Sequence, residues 1–310
     1  MNKNLNNAKK RKNDEFYTLY SDVVEELQHY KKHFAGKVVF CNCDDPKWSA
    51  FWRYFHLNFA ELGLKKLIST HYDRIEPTYM MEYEGGDDNN VEVGVKTPLE
   101  GNGDFRNKEC LDLLDECDIV VTNPPFSLFR EYVSTLMEHG KKFLIIGNKN
   151  AVTNKDFFPL LKENKVRIGY SSPSRFVTPN GMSEKMSGIT RWYTNLDIHK
   201  RNEKLILRQR YYDDDGNPLP DAEKRYPHYD NYAAINVDRV ADIPSDYKGV
   251  MGVPITFIDK LNLKQFRIVG ETESEGKGLS NGLWYSKSGM PKAVINGKNK
   301  YARIFIQAVK

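Results

Sequence analysis

No apolar run in this sequence is long enough to cross a membrane, and no secretory leader precedes the first charged residues, so the chain reads as cytoplasmic. Cysteine is scarce. The four present, Cys41, Cys43, Cys110 and Cys117, are spaced C-x-C and C-x6-C, not as the paired C-x2-C steps of a structural zinc site. No metal centre or disulfide framework is expected, and the thiols read as reduced. A dominant charge is also missing: 46 Lys and Arg face 42 Asp and Glu, for a formal net charge of +4. That balance permits nucleic-acid binding without requiring it. There is no internal repeat, which argues against solenoid and propeller architectures.

What is present suits a globular enzyme. A length of 310 residues with 40% hydrophobic content allows one large α/β domain or a catalytic domain with a smaller attachment. Residues 1–13 carry Lys3, Lys9, Lys10, Arg11 and Lys12 with little to bury, and read as a mobile basic arm, either a solvated tail or a DNA-phosphate contact. The capping-box spacing of Asp22 and Glu25 predicts a helix from Asp22, with Val23, Leu27, Tyr30 and Phe34 on one face and Gly36 as its stop. Strands are predicted at Lys37 to Cys41, Leu67 to Ser69, Asp118 to Val121, Phe143 to Ile146 and Val166 to Ile168, with helical stretches between several of them. That alternation predicts a parallel sheet covered by helices on both faces. Between Thr78 and Gly103 the rhythm breaks around one candidate strand at Val91 to Val95. Beyond about Tyr193 short strands and long loops are expected.

The chemistry is carried by Asn123-Pro124-Pro125-Phe126, which follows the most apolar strand and precedes a helix striped by Leu128, Phe129, Tyr132, Val133 and Leu136. In open α/β sheets ligands bind at that carboxyl edge. Two prolines fix φ and remove two N–H donors, leaving a stiff loop rich in acceptors. An exocyclic aromatic amine is a poor nucleophile because its lone pair is delocalised into the ring. The Asn123 side-chain oxygen and the Pro124 carbonyl can hold its two hydrogens and restore that lone pair. Phe126 offers a flat face to an extruded base, a stack worth roughly 1–3 kcal/mol.

The string resembles the catalytic motif of amino-group DNA methyltransferases. The surrounding sequence is similar to the EcoRI-type adenine-specific modification methylases over nearly the whole chain, in Asp14 to Thr18, Cys41 to Pro46, Gly103 to Arg106, Thr122 to Phe129, Tyr229 to Tyr232 and Gly249 to Phe257. The resemblance implies a Rossmann-like sheet using S-adenosylmethionine, with a catalytic domain over residues 14–212 and a target-recognition region over 213–310. It implies that Asp104 holds the amino group of the cofactor adenine with Phe105 against the ring, and that Phe16, Tyr17 and Thr18 close over the methionine end. Asn42, Asp44 and Asp45 stand in the cofactor loop, where the usual Gly-x-Gly is absent. Asp73 is placed either to hold ribose hydroxyls or as an exposed loop acid.

Trp192 and Tyr193 read either as a wall of the target-base pocket or as core. Target recognition is expected in Ser171 to Ser187 and after Asp213, with Arg175, Arg208, Arg210, Lys224, Arg225, Lys277 and Lys298 as candidates for phosphate or base-edge contact. The expected partner is double-stranded DNA, engaged by a monomer. No stable complex with a cognate restriction endonuclease of the same system is expected. The alternatives are an RNA amino-group methyltransferase and a non-catalytic DNA-binding relative.

Overall fold

The computed structural model describes residues 17–73, 75–177, 183–185, 188–272, 280, 282–284 and 292–309. The chain divides into two compact units, residues 1–149 with 167–198, and residues 150–166 with 199–310.

The first unit carries an eight-stranded sheet in the order β5-β4-β3-β2-β6-β7-β11-β8. Its strands are β2 (Val38–Cys41), β3 (Lys66–Thr70), β4 (Tyr79–Tyr83), β5 (Val95–Pro98), β6 (Ile119–Thr122), β7 (Lys142–Asn148), β8 (Arg167–Ile168) and β11 (Thr190–Thr194). A separate three-stranded sheet joins β1 (Tyr17–Thr18), β9 (Arg175–Val177) and β10 (Ser183–Lys185). The helices are α1 (Tyr20–Leu27), α2 (Ala50–Leu57), α3 (Phe59–Leu62), α4 (Lys108–Glu116) and α5 (Phe129–Glu138).

The four central strands β3, β2, β6 and β7 pair in parallel, as the apolar runs predict. The sheet as a whole is mixed, because β4, β5, β11 and β8 add antiparallel on the two sides. The candidate strand at Val91 to Val95 is displaced: residues 91–94 form a turn, and the strand begins at Val95. The first helix begins at Tyr20 with Leu19 as its N-cap, not at Asp22. It ends at Leu27, well before Gly36, and a separate 3-10 turn covers Lys31–His33; Val23, Leu27, Tyr30 and Phe34 are nevertheless all fully buried, and Gly36 takes φ +71°. A side chain at Gly147 on β7 would collide with the Phe129 ring, so this glycine lets α5 seat closely on the sheet.

The second unit contains α6 (Phe158–Lys162), α7 (Ala222–Arg225) and a four-stranded sheet of β12 (Ile235–Asn236), β13 (Met251–Pro254), β17 (Arg303–Ala308) and β14 (Phe266–Glu271) in that order. A hairpin of β15 (Val294–Ile295) and β16 (Lys298–Asn299) completes it. The chain passes into this unit after residue 198. The cause is local: Leu205 exchanges hydrogen bonds with the Gln265 side chain at 2.6 and 2.9 Å, and Asn262 donates to the Glu203 carbonyl at 3.0 Å. Residues 150–166 join the same unit because α6 packs on β14.

Candidate active site

Strand order reverses direction at β2: the chain steps from β2 outward to β3, β4 and β5, then returns to lay β6 on the other side of β2. The carboxyl ends of β2 and β6 thus flank a topological switch point, where a crevice for a ligand opens in such sheets. Two loops meet there, Asn42 to Pro46 after β2 and Asn123 to Phe126 after β6.

Asp44 ties the two loops together. Its Oδ2 lies 2.6 Å from the Thr122 hydroxyl and 3.4 Å from the Asn123 amide, which donates to it. The same Thr122 hydroxyl also contacts the Asn42 carbonyl. A hydroxyl has one proton to give. Both contacts draw on that one proton. Burial pushes the Asp44 carboxyl up to about 7, against the opposing bonds from Thr122, Asn123 and Ser49. The Asp44 carbonyl in turn accepts from the Ser69 hydroxyl at 2.6 Å, tying the loop to β3.

Between these anchors Cys43 adopts φ +64°, a left-handed conformation that glycine takes without penalty. The Asn42 side chain accepts from the Cys43 amide at 2.8 Å and from Thr70 at 3.1 Å. The turn made by a Gly-x-Gly pair in related loops is thus held here by side-chain hydrogen bonds. Asp45 faces Tyr79, whose hydroxyl donates to it at 2.7 Å, and His71 at 3.6 Å.

Asn123 is half-buried, Pro124 buried, and Pro125 and Phe126 half-buried. The Pro125 carbonyl accepts the Leu128 amide at 3.0 Å and turns the loop toward α5. Phe126 meets Phe176 of β9 edge-on, with ring centroids 6.3 Å apart. Across from Phe176 in the neighbouring strand stands Thr18, and across from Val177 stands Tyr17, so β1 lies beside the wall that faces Phe126. Phe16 lies outside the described residues.

A buried acid holds this wall. Glu26 is fully buried, and its carboxylate accepts from the Tyr170 amide at 2.8 Å, the Ser171 amide at 2.6 Å, the Ser171 hydroxyl at 2.8 Å and Tyr30 at 2.7 Å. One turn earlier, Asp22 accepts from the Ser174 amide at 3.1 Å. A side chain at Gly169 would overlap the Glu26 carboxylate, so glycine is required where the segment passes over α1.

Gly103, at φ +73°, has no room for a Cβ against the His71 carbonyl, which brings the Asp104 loop against the end of β3. Arg106 grips Asp104 through Nε at 2.8 Å and Nη2 at 2.6 Å. Phe105 is buried edge-on against Tyr132, with centroids 4.9 Å apart. Asp73 accepts from the Ile75 and Glu76 amides at 2.8 and 2.9 Å, and its own amide donates to Asn102.

Residues 4–309 match the family described as adenine-specific methyltransferase EcoRI. The chain is 43% identical to the Type II methyltransferase M.EcoRI of Escherichia coli, with 99% of this chain and 96% of that protein covered. It is 38% identical to the Type II methyltransferase M.MpnI of Mycoplasma pneumoniae, covering 98% and 97%, and 37% identical to M.MgeORF184P of Mycoplasma genitalium, covering 98% of each. No solved structure matches the chain. The chain belongs to the EcoRI adenine-specific methyltransferase family.

In this member of the EcoRI family, the candidate nucleic-acid residues fall in both units. Arg175 is exposed on β9, opposite Lys185 of β10. Trp192 takes the packing role of its two readings: it has no exposed surface and lies edge-on to Phe51 at 5.9 Å within the core. Lys224 is exposed on α7, whereas Arg225 is engaged by Asp221 at 2.6 Å and Gln209 at 3.3 Å. Lys10, Arg11 and Lys12 lie outside the described residues.

Glu26 and Phe176 were not identified from sequence. Glu26 was detectable, because it shares the helical stripe of Val23, Leu27 and Tyr30, and a carboxylate on a buried face requires partners. Nothing in its local pattern marks Phe176.

Proposed function

We propose that the chain transfers a methyl group from S-adenosylmethionine to N6 of an adenine swung out of duplex DNA. The observation that carries this reading is the coupling of Asn123-Pro124-Pro125-Phe126 to the cofactor-side loop through Asp44 and Thr122 at the switch point of the sheet.

The residues present suit both substrates. Carboxylates at Asp45, Asp73 and Asp104 surround the carboxyl ends of the central strands, and suit a cation that also bears an amine, ribose hydroxyls and an adenine amino group. Asp104 and Asp73 are the residues assigned to adenine and ribose, and Tyr17 and Thr18 to the methionine end. The cofactor supplies an already activated methyl on a sulfonium. The chain therefore has to position the amine and stabilise developing charge. Asn123 and the Pro124 carbonyl hold the N6 hydrogens out of the ring plane, while Phe126 stacks on the base with Phe176 limiting the space beside it. No residue needs to form a covalent bond to substrate.

Duplex DNA is favoured over RNA by the family match along the chain. The experiment is incubation with labelled S-adenosylmethionine and, in separate samples, unmethylated genomic DNA and total RNA, followed by nucleoside mass spectrometry. N6-methyldeoxyadenosine is the expected product. Label confined to RNA would replace this reading with an RNA methyltransferase, and label in neither would leave a non-catalytic binder.

A further inference from the structure

The string Tyr229-Asp230-Asn231-Tyr232 takes no part in the site described above, yet most of its polar groups serve one feature, the β15–β16 hairpin. Asp230 accepts from the Asn296 amide at 3.1 Å and the Gly297 amide at 2.8 Å, while its own amide donates to the Val294 carbonyl at 2.8 Å. The Asn231 side chain accepts from the Val294 amide at 2.9 Å and donates to the Lys292 carbonyl at 2.7 Å. Tyr229 and Tyr232 are buried with Ala293, Ile295 and Phe305 beneath it.

The turn itself is preset. Asn296 and Gly297 take φ +50° and +71°, the paired left-handed conformations of the tightest hairpin turn, for which Asn-Gly is the favoured sequence. An isolated two-stranded hairpin is marginal in water. Here it is fastened at its base and its tip, although residues 296–299 are all exposed. Rigid backbone presented to solvent serves recognition, because it removes the ordering cost that a flexible loop incurs on binding.

The charge of the hairpin indicates the partner. Residues 292–303 include Lys292, Lys298, Lys300 and Arg303 and no acid. Asp238 engages Lys300 at 3.5 Å and Arg303 at 3.2 Å, which leaves the exposed Lys292 and Lys298 as the outward cations. Asn299, a side chain able to bond the edge of an adenine, is exposed beside Lys298, and Tyr301 is 88% exposed. A two-stranded ribbon fits the major groove of B-form DNA.

We infer that the hairpin from Val294 to Asn299 is a duplex-DNA contact element of this methyltransferase, with Lys298 on phosphate and Asn299 on a base edge, held in shape by Asp230 and Asn231. This inference rests on the proposed function.

The test is equilibrium binding of a fluorescent duplex, bearing the sequence that the wild-type chain methylates, over a salt series. Lys298→Ala should weaken binding, lower the slope of log affinity against log salt by about 1, and leave S-adenosylmethionine affinity unchanged. Lys298→Arg should restore both affinity and slope. Asn299→Ala should narrow the difference in transfer rate between that sequence and its single-base variants. Asp230→Ala should weaken binding in the same direction as Lys298→Ala. If Lys298→Ala binds the duplex with wild-type affinity and slope while the wild type methylates it, the inference is overturned and the methyltransferase reading stands. A wild-type chain that methylates no duplex sinks that reading and this inference with it.

Discussion

Thr122 and Asp44 approach to 2.6 Å, a contact that joins the last residue of β6 to the loop after β2. Because the next residue is Asn123, this contact fixes where the Asn-Pro-Pro-Phe loop leaves the sheet. The Asn123 amide adds a second bond to the same carboxyl oxygen. A group that the sequence assigned to cofactor contact thus points inward, as a brace between the two loops.

That brace has a pH signature. Asp44 titrates near 7 in the folded chain against 3.8 for a free carboxyl. Over that window the folded state holds a proton that the unfolded state has released, so stability falls as pH rises from about 4 to 7 and the full cost is present above 7. About three units correspond to a cost on the order of 4 kcal/mol. Asp44→Asn mimics the protonated form. Denaturant unfolding between pH 5 and 8 should show the wild type losing stability relative to the variant as pH rises. A constant difference would show that Asp44 does not titrate in that range.

Glu26 should be costly to remove. Glu26→Ala leaves the amides of Tyr170 and Ser171 without their acceptor, a loss of about 3 kcal/mol or more. Glu26→Gln keeps one acceptor oxygen and should lose less. Because the segment leads to Phe176, both variants should raise the KM for DNA more than that for S-adenosylmethionine. Steady-state kinetics with each substrate varied in turn checks this, and equal effects on both would reduce Glu26 to a stability role.

The left-handed Cys43 makes a further prediction. Cys43→Val places a β-branched side chain at φ +64° and should cost about 1–3 kcal/mol, whereas Cys43→Gly should match or exceed the wild type in stability. Thermal unfolding of the two variants decides it. Equal destabilisation would mean that the thiol's packing matters more than the backbone conformation.

The central strands and the Asn-Pro-Pro-Phe loop were legible because their signals are local. Apolar runs such as Val38 to Phe40 and Ile119 to Val121 suit a strand buried on both faces, and a proline pair after one of them stiffens the loop wherever it falls. What sequence reading missed depends on partners distant in the chain. The antiparallel β4 was hidden because its pattern is read against β3, and the inward turn of Asp44 depends on Thr122, 78 residues away. Trp192 carried an aromatic signal that suits a pocket wall and a core alike, and its full burial becomes visible only in the fold.

The most direct test of the account is single-turnover methyl transfer by Asn123→Ala to the duplex the wild type methylates, with S-adenosylmethionine affinity measured on the same preparation. Loss of transfer with cofactor affinity retained is the expected result, because the side-chain oxygen proposed to hold the N6 hydrogen is gone while the Asp44 bond to the backbone amide remains. Transfer at the wild-type rate would contradict the role assigned to Asn123, and with it the mechanism built on this loop.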